Sequence, residues 1–221
     1  MQLDRVEHLE EVVLNMVAQA LADYRNEAAT IFAEETDEPQ DIAEDVLREA
    51  IDAMGLSEMH ERLYGKVDLK KAIYVFAPNA EPVALMLDAK AERDDARTVT
   101  IQMSQTSMTV KMTRKGEDVA IPGSLGHFIT RNERSLLVVT VVAKFFYAEV
   151  DGRQALRQII VACIPNGLLQ ERYNPSVDDG IWLAGRDAFT LGEAFRVRLG
   201  YRKLADKSAW RIITIDMEDT T

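Results

Sequence analysis

Residues 83–92 read Val-Ala-Leu-Met-Leu-Asp-Ala-Lys-Ala-Glu, an apolar run that ends in an Asp-x-Lys triplet. The apolar residues predict a β-strand. Alternate side chains of a strand point to the same face, so Asp88 and Lys90 are expected about 7 Å apart on one face. The sequence therefore predicts a strand that brings a carboxylate and an ammonium group together at its end.

Helices are predicted before this strand and further strands after it. Apolar residues recur at helical spacing over about the first 33 residues, which predicts one long helix. A second helix follows, with Thr36 or Asp37 as its cap, Pro39 in its first turn and Gly55 after its end. A short helical segment is predicted for residues 57–64. Further strands are predicted at residues 67–76, 119–121, 136–150, 159–164, 194–200 and 210–215, while residues 98–112 fit a strand or, in their first half, a helix. Asp151-Gly152 predicts a hairpin turn between the strands at residues 136–150 and 159–164.

This order of elements predicts an α+β fold, with N-terminal helices and a central mixed β-sheet. A length of 221 residues fits one domain, so a single domain spanning residues 1–221 is expected. The composition, 47% hydrophobic and 29% charged, is that of an ordinary globular chain and argues against broad disorder.

The cysteine content and the absence of long apolar runs predict a cytoplasmic protein without a membrane partner. Cys163 is the one cysteine and lies in an apolar run, which favours a buried structural thiol over a reactive one. The first residues have no signal-peptide pattern. No apolar run approaches the roughly 18 residues that a membrane span requires.

A formal net charge of −11 argues against a protein that binds nucleic acid through general basicity. The charges are unevenly distributed, however. The first 62 residues are strongly acidic, whereas Arg196, Arg198, Arg202, Lys203 and Lys207 lie close together near the end. Overall acidity therefore leaves room for a local basic face.

The carboxylates around the Asp-x-Lys triplet have the composition of a magnesium site. Asp68 is expected at the start of the strand before Asp88, where the two side chains can converge on one divalent cation. Two carboxylates suit Mg²⁺, and the main-chain carbonyl of Ala89 can supply another oxygen ligand. Lys90 can orient and help deprotonate an attacking water, as phosphodiester hydrolysis requires. An acidic residue of the first helix, either Glu27 or Glu34, can complete the ligand set.

An Asp-x-Lys triplet alone does not identify a nuclease, because such triplets occur by chance in many proteins. The alternative is a solvated strand end with a surface ion pair. The apolar strand before the triplet and the aspartate on the preceding strand favour the nuclease interpretation.

Several blocks along the chain resemble the SfiI-type restriction endonucleases of the PD-(D/E)xK superfamily. They extend from about residue 10 to residue 212, nearly the whole chain. Val67 precedes Asp68 where the superfamily motif has proline. The matching blocks are Asp23-Tyr24-Arg25-Asn26-Glu27-Ala28 with Ile31-Phe32, Gly65-Lys66-Val67-Asp68, Leu85-Met86-Leu87-Asp88-Ala89-Lys90-Ala91, Ser104-Gln105, Glu171-Arg172-Tyr173-Asn174-Pro175, Ala184-Gly185, Gly192-Glu193-Ala194 with Arg196-Val197-Arg198, and Trp210-Arg211.

The resemblance implies hydrolysis of both strands of double-stranded DNA at a specific, interrupted palindromic site, with Mg²⁺ as cofactor. It makes Asp68 and Asp88 metal ligands and Lys90 the catalytic lysine. It also implies that Arg196 and Arg198 read bases. Two arginines one residue apart share a strand face, and each can bond to guanine O6 and N7, so a GC-containing site is expected.

On residue types alone, these two arginines would be typical of a solvated strand with ion pairs to Glu193 or Asp206. Cutting both strands of a palindrome calls for at least a homodimer. The resemblance implies a homotetramer that engages two sites. A cognate DNA methyltransferase is expected in the same cell. One alternative is a structure-specific or repair nuclease that uses the same centre. Another is a DNA-binding protein that keeps the fold without cleaving, although such a protein has no need of Asp68, Asp88 and Lys90 together.

Overall fold

The computed structural model describes residues 1–55, 61–63, 72–76, 81–96, 100–103, 106–131, 133–184 and 197–217. Within them, the N-terminal part is helical and most of the remainder forms strands. The helices are α1 (Leu3–Asp23), α2 (Arg25–Glu34), α3 (Pro39–Ala53), α4 (Gln170–Tyr173) and α5 (Tyr201–Lys207). The strands are β1 (Glu61–Leu63), β2 (Ala72–Phe76), β3 (Val83–Arg93), β4 (Thr100–Met103), β5 (Val110–Arg114), β6 (Glu117–Ile121), β7 (Phe128–Arg131), β8 (Arg134–Val150), β9 (Arg153–Ile164), β10 (Trp182–Ala184), β11 (Val197–Gly200) and β12 (Ile212–Asp216).

The predicted first helix is in fact two consecutive helices that meet at Tyr24. The backbone of Tyr24, with φ −91° and ψ 5°, departs from helical geometry and ends α1. Its hydroxyl donates a hydrogen bond to Glu49 Oε2 in α3 at 2.7 Å. The break redirects the chain, so that α2 packs against β9 and α3.

The start of α3 also differs from the prediction. Its N-cap residue is Glu38, not Thr36 or Asp37, and the Glu38 side chain makes no capping hydrogen bond. Pro39 stands in the first turn as expected. Gly55 has φ 56°, the left-handed backbone that favours glycine immediately after a helix.

The central sheet is mixed, as predicted. Its seven described strands follow the order β1-β2-β3-β8-β9-β12, with β7 pairing to β8 as a branch. The β3–β8 pair is parallel, and the other pairs of this sheet are antiparallel. Two smaller sheets accompany it, β10-β11-β4 and β5-β6.

Two predictions about local structure are settled by strand pairing. Residues 61–63, predicted as part of a short helix, form β1 and pair with β2. Residues 100–103, for which helix and strand were both open, form β4 and pair with β11. In both segments, pairing with a neighbouring strand decides the local conformation.

The β8–β9 hairpin is confirmed at its turn. Asp151 and Gly152 both have positive φ, 52° and 78°, as a type I′ turn requires. Within the hairpin, Cys163 is fully buried, and this burial raises the pKa of its thiol well above the ordinary value. The thiol is therefore a core group and not a nucleophile.

The two faces of β3 belong to different environments. Val83, Leu85, Leu87 and Ala89 join the main core with the N-terminal helices, and α3 packs against β3. Ala84 and Met86 join a smaller cluster with Leu136 and Val138. Side chains alternate along a strand, so Asp88 and Lys90 continue the face of this smaller cluster.

None of the helices in the described part of the chain is long and apolar enough to span a bilayer.

Candidate active site

The Asp-x-Lys triplet lies where β3 emerges from the core. Residues 83–89 are buried, and residues 90–92 are half-buried. Asp88 is 9% exposed, so its carboxylate is largely shielded from solvent. The Lys90 Nζ atom lies 2.8 Å from Asp88 Oδ1 and also donates to the Ala89 carbonyl oxygen at 3.1 Å. The ammonium group thus contacts oxygen atoms of Asp88 and Ala89, two of the groups predicted to bind a metal.

The described part of this site has the chemistry of a magnesium site. A carboxylate and a main-chain carbonyl are hard oxygen donors, which Mg²⁺ prefers. Mg²⁺ commonly keeps several waters and binds proteins through one or two carboxylates, so a small protein ligand set is sufficient. The described residues contain no cluster of three His, Cys, Asp or Glu side chains arranged for a metal. Asp68, the predicted second carboxylate, lies outside the described residues.

The two helical acids predicted as further ligands lie on α2. Glu27 and Glu34 are both exposed, and α2 packs against β9 and α3. Neither acid forms a three-residue metal cluster with Asp88 in the described part of the chain. The choice between Glu27 and Glu34 therefore gains no support from the described contacts.

A second charged pair extends the site along the same face of the sheet. Lys144 of β8 stands beside Lys90 in the parallel register, and Lys144 is 4% exposed. Its ammonium forms an ion pair with Glu92, two residues beyond Lys90 on β3. The positions alternate Asp88, Lys90 and Glu92, so a carboxylate lies on each side of Lys90. This pair was not predicted from the sequence, although Glu92 lies two residues beyond Lys90 and therefore on the same face of the strand.

Lys144 also connects the main sheet to the three-stranded sheet. Its Nζ donates to the carbonyl oxygen of Thr100, the first residue of β4, at 2.9 Å. β4 pairs with β11, where Arg198 stands opposite Gln102. The strand with the Asp-x-Lys triplet is thus joined through one buried lysine to the sheet that contains Arg198.

Arg198 is the described member of the predicted base-reading pair. It is half-buried in the middle strand of its sheet. In the described part of the chain it makes no ion pair with Asp206. Arg196 and Glu193 lie outside the described residues.

Another residue that the sequence analysis missed is Gln40, in the first turn of α3. Its side-chain amide bonds to the main chain of β3 on both sides of Lys90, at the Ala89 carbonyl and the Ala91 amide. Gln40 is 49 and 51 positions away from these partners in the sequence, so no local sequence pattern predicts the contact.

Two of the blocks that resemble the restriction endonucleases prove to hold the fold together. Arg172 of α4 forms ion pairs with Asp4 and Glu7 of α1. The Tyr173 hydroxyl donates to Glu7. Arg211 is fully buried and bonds Glu10 Oε2 at 2.7 Å. These residues attach the first helix to the C-terminal part of the chain.

Comparison with known proteins agrees with this architecture. Residues 5–215 match the family model described as "Type II restriction enzyme SfiI". The type II restriction enzyme SfiI of Streptomyces fimbriatus is 31% identical, over 96% of this chain and 84% of its own length.

Two solved structures share the fold. One is tetrameric SfiI bound to cognate DNA, with a TM-score of 0.84 and 24% identity, covering 100% of this chain and 88% of that one. The other is the restriction endonuclease BglI bound to its DNA recognition sequence, with a TM-score of 0.77 and 17% identity, covering 97% of this chain and 91% of that one. The restriction-endonuclease-like α+β fold predicted from the sequence is therefore confirmed. With a family match over most of its length, the chain belongs to the SfiI family of type II restriction enzymes.

Proposed function

We propose that this restriction enzyme cuts both strands of double-stranded DNA at a specific, interrupted palindromic and GC-containing site, with Mg²⁺ as cofactor. One observation carries the proposal. Where β3 emerges from the core, the Lys90 ammonium lies 2.8 Å from the Asp88 carboxylate and 3.1 Å from the Ala89 carbonyl. Phosphodiester cleavage requires neutralisation of the charge that develops on the phosphate, and these groups supply oxygen ligands for a cation beside a positively charged side chain.

In this proposal Asp68, Asp88 and the Ala89 carbonyl hold the ion at the scissile phosphate. When bound, Mg²⁺ supplies positive charge to the phosphoryl oxygens and lowers the pKa of bound water. Lys90 orients the attacking water, assists its deprotonation and stabilises the negative charge that develops on the phosphate. The burial of Asp88 strengthens these interactions because bulk water screens them less.

Arg196 and Arg198 are proposed to read guanine bases in the major groove. A guanidinium can bond to guanine O6 and N7 together, which distinguishes guanine from the other bases. The position of Arg198 on a sheet tied to the catalytic strand supports this role, because base reading and cutting must keep a fixed spacing on the DNA.

Cutting two strands at a palindrome requires two copies of the site related by a two-fold axis. We therefore propose that the chain acts as a homodimer or a homotetramer. The structure of the relative SfiI is described as tetrameric, which favours the larger assembly. A cognate DNA methyltransferase in the same cell would protect the host genome from cutting.

The test is digestion of a large, GC-rich phage DNA by the purified chain, with Mg²⁺ and with a chelator. Discrete, reproducible fragments that require Mg²⁺ are expected, and sequencing of their ends gives the recognition site. A smear or random nicks would point to a nuclease that recognises DNA structure. Intact DNA in every metal tested would contradict the proposal.

A further inference from the structure

Beside Lys90, beyond the described β2–β3 pairs, a helix side chain makes the main-chain hydrogen bonds of β3 that a neighbouring strand would make. β2 pairs with β3 from Phe76 opposite Val83 to Ala72 opposite Leu87. On its other edge β3 is paired with β8 as far as Arg93. Residues two apart in a strand direct their main-chain groups to the same edge. The groups of Ala89 and Ala91 therefore face the β2 side, beyond the last described β2–β3 pair.

Gln40 satisfies both of these groups. Its Nε2 atom donates to the Ala89 carbonyl oxygen at 2.8 Å. Its Oε1 atom accepts from the Ala91 main-chain N–H at 3.1 Å. The side-chain amide thus donates and accepts as the main-chain N–H and C=O of one residue in an adjacent strand would.

Glu44 fixes the orientation of this amide. Gln40 Nε2 also donates to Glu44 Oε1, one turn further along α3, at 2.8 Å. A primary amide has two N–H donors, and both are used, one by Glu44 and one by Ala89. A flipped amide would place its oxygen against the Glu44 carboxylate and the Ala89 carbonyl, so only the observed orientation satisfies all three partners.

The two hydrogen bonds from Gln40 to β3 are made to the peptide groups on either side of Lys90. The Ala89 carbonyl belongs to the peptide group before Lys90, and the Ala91 N–H belongs to the peptide group after it. Holding both peptide planes fixes the backbone angles of Lys90, and with them the direction of its side chain. The same contacts fix the direction of the Ala89 carbonyl, the proposed metal ligand.

We propose that Gln40 is a positioning residue of the cutting centre, acting as a one-residue substitute for a neighbouring strand. It sets the geometry of Lys90 and of the Ala89 carbonyl without contacting DNA. This inference rests on the proposed function. Misplacement of reacting groups by about 1 Å can reduce a rate by about 100-fold, so loss of the two bonds should affect the chemical step before it affects binding.

The experiment compares Gln40→Met with Gln19→Met. Gln19 donates to Asp23 Oδ1 at 2.7 Å, so it makes the same contact four residues along its helix without approaching β3. Three quantities are measured for each variant: the single-turnover cleavage rate at saturating DNA and Mg²⁺, the Kd for cognate DNA in Ca²⁺, and the hydrogen exchange rate of the Ala91 amide.

For Gln40→Met, a rate roughly 10- to 100-fold below wild type is expected. Its Kd should stay within about twofold, since no DNA contact is removed. Faster exchange at Ala91 is also expected, because that N–H loses its acceptor. Gln19→Met should match the wild type in all three. Wild-type exchange at Ala91 in Gln40→Met, or faster exchange with a wild-type cleavage rate, would overturn the inference.

A second variant separates the two bonds and covers the case in which Gln40→Met folds poorly. In the double variant Gln40→Glu/Glu44→Gln, the new pair can still hydrogen-bond, and an acceptor for the Ala91 N–H remains. The Ala89 carbonyl, however, loses the donor on residue 40 and keeps that of the Lys90 ammonium. Wild-type exchange at Ala91 with a reduced cleavage rate is expected, and a wild-type rate would overturn the role of the Ala89 bond. A wild-type chain that cuts no DNA overturns the proposed function and this inference together, whereas a cutting wild type with unaffected variants overturns the inference alone.

Discussion

Replacing Arg211 by methionine would remove a buried guanidinium that joins the first helix to the last strand. Arg211 immediately precedes β12 and is fully buried. Its Nη2 atom bonds Glu10 Oε2 of α1 at 2.7 Å, and Glu10 is fully buried as well. The guanidinium carbon lies 4.2 Å from the ring centre of Tyr173 and 4.3 Å from that of Trp210.

Removing one member of a buried ion pair leaves the other as an uncompensated buried charge, which costs about 3–5 kcal/mol. No discount for solvent screening applies, because both side chains are 0% exposed. For a chain of this size, each kcal/mol lowers the melting temperature by about 2–4 °C. Arg211→Met should therefore lower the melting temperature by roughly 6–20 °C.

The loss should depend on pH. Burial raises the pKa of the Glu10 carboxyl, and the Arg211 guanidinium opposes that rise. Without the guanidinium the pKa in the folded state rises further. A carboxyl whose pKa is raised in the folded state stabilises the fold at pH values below its ordinary pKa of 4.5. This stabilisation is lost as the pH rises through the pKa that the carboxyl has in the folded state. Arg211→Met should thus be closest to the wild type near pH 5 and furthest from it near pH 8.

Urea unfolding followed by circular dichroism, at pH 5 and at pH 8, measures these differences. A Glu10→Gln change on the Arg211→Met background separates charge from packing. It removes the unpaired carboxylate and keeps an acceptor for the main-chain N–H of Asn166. In the wild type this N–H donates to Glu10 Oε1 at 2.7 Å. The double variant should recover most of the loss at pH 8. A loss under about 1 kcal/mol for Arg211→Met, or an equal loss at both pH values, would refute this reasoning.

Two further changes probe the DNA-reading strand and its connection to the site. Arg198→Ala should weaken binding of the cognate site in Ca²⁺ by about 1–3 kcal/mol and relax specificity at one base, measured by gel shift on single-base variants of the DNA. The control is Arg153→Ala, which changes an exposed arginine beside the turn between β8 and β9. An unchanged site preference in Arg198→Ala would exclude Arg198 from base reading. Lys144→Met should lower the free energy of unfolding by about 1–3 kcal/mol, because the Thr100 carbonyl and Glu92 lose a buried donor. Lys111 donates to the Pro175 carbonyl, and its side chain is 28% exposed. Lys111→Met should therefore lower the free energy of unfolding by less than Lys144→Met does. Equal losses in the two variants would contradict the importance assigned to the burial of Lys144.

The parts of the fold that follow from local pattern were predictable from the sequence. The apolar run of β3 and the turn at Asp151-Gly152 both occur as expected, because side-chain alternation and positive-φ turn residues are local properties. The break at Tyr24 was not predictable, since the helical apolar spacing continues across it. It depends instead on how α2 packs against β9. Residues 61–63 form a strand because β2 pairs with them, which their own sequence does not reveal.

In the candidate site, too, contacts within one strand were predictable from the sequence and contacts between elements were not. Asp88, Ala89 and Lys90 share one strand, so their proximity follows from a two-residue repeat. The contacts of Gln40 and Lys144 come from other elements and depend on packing over long sequence separations. For Asp68 and Arg196, which lie outside the described residues, the assigned roles remain predictions.

The measurement that tests the central claim most directly is single-turnover cleavage of the mapped site by Asp88→Asn and Lys90→Met, beside their binding of the same DNA in Ca²⁺. Both variants should lose at least about 100-fold in cleavage rate, as expected when a group acting in the chemical step is removed. Lys90→Met should keep specific binding. If either variant cuts at the wild-type rate, the Asp88–Lys90 pair is not the cutting centre.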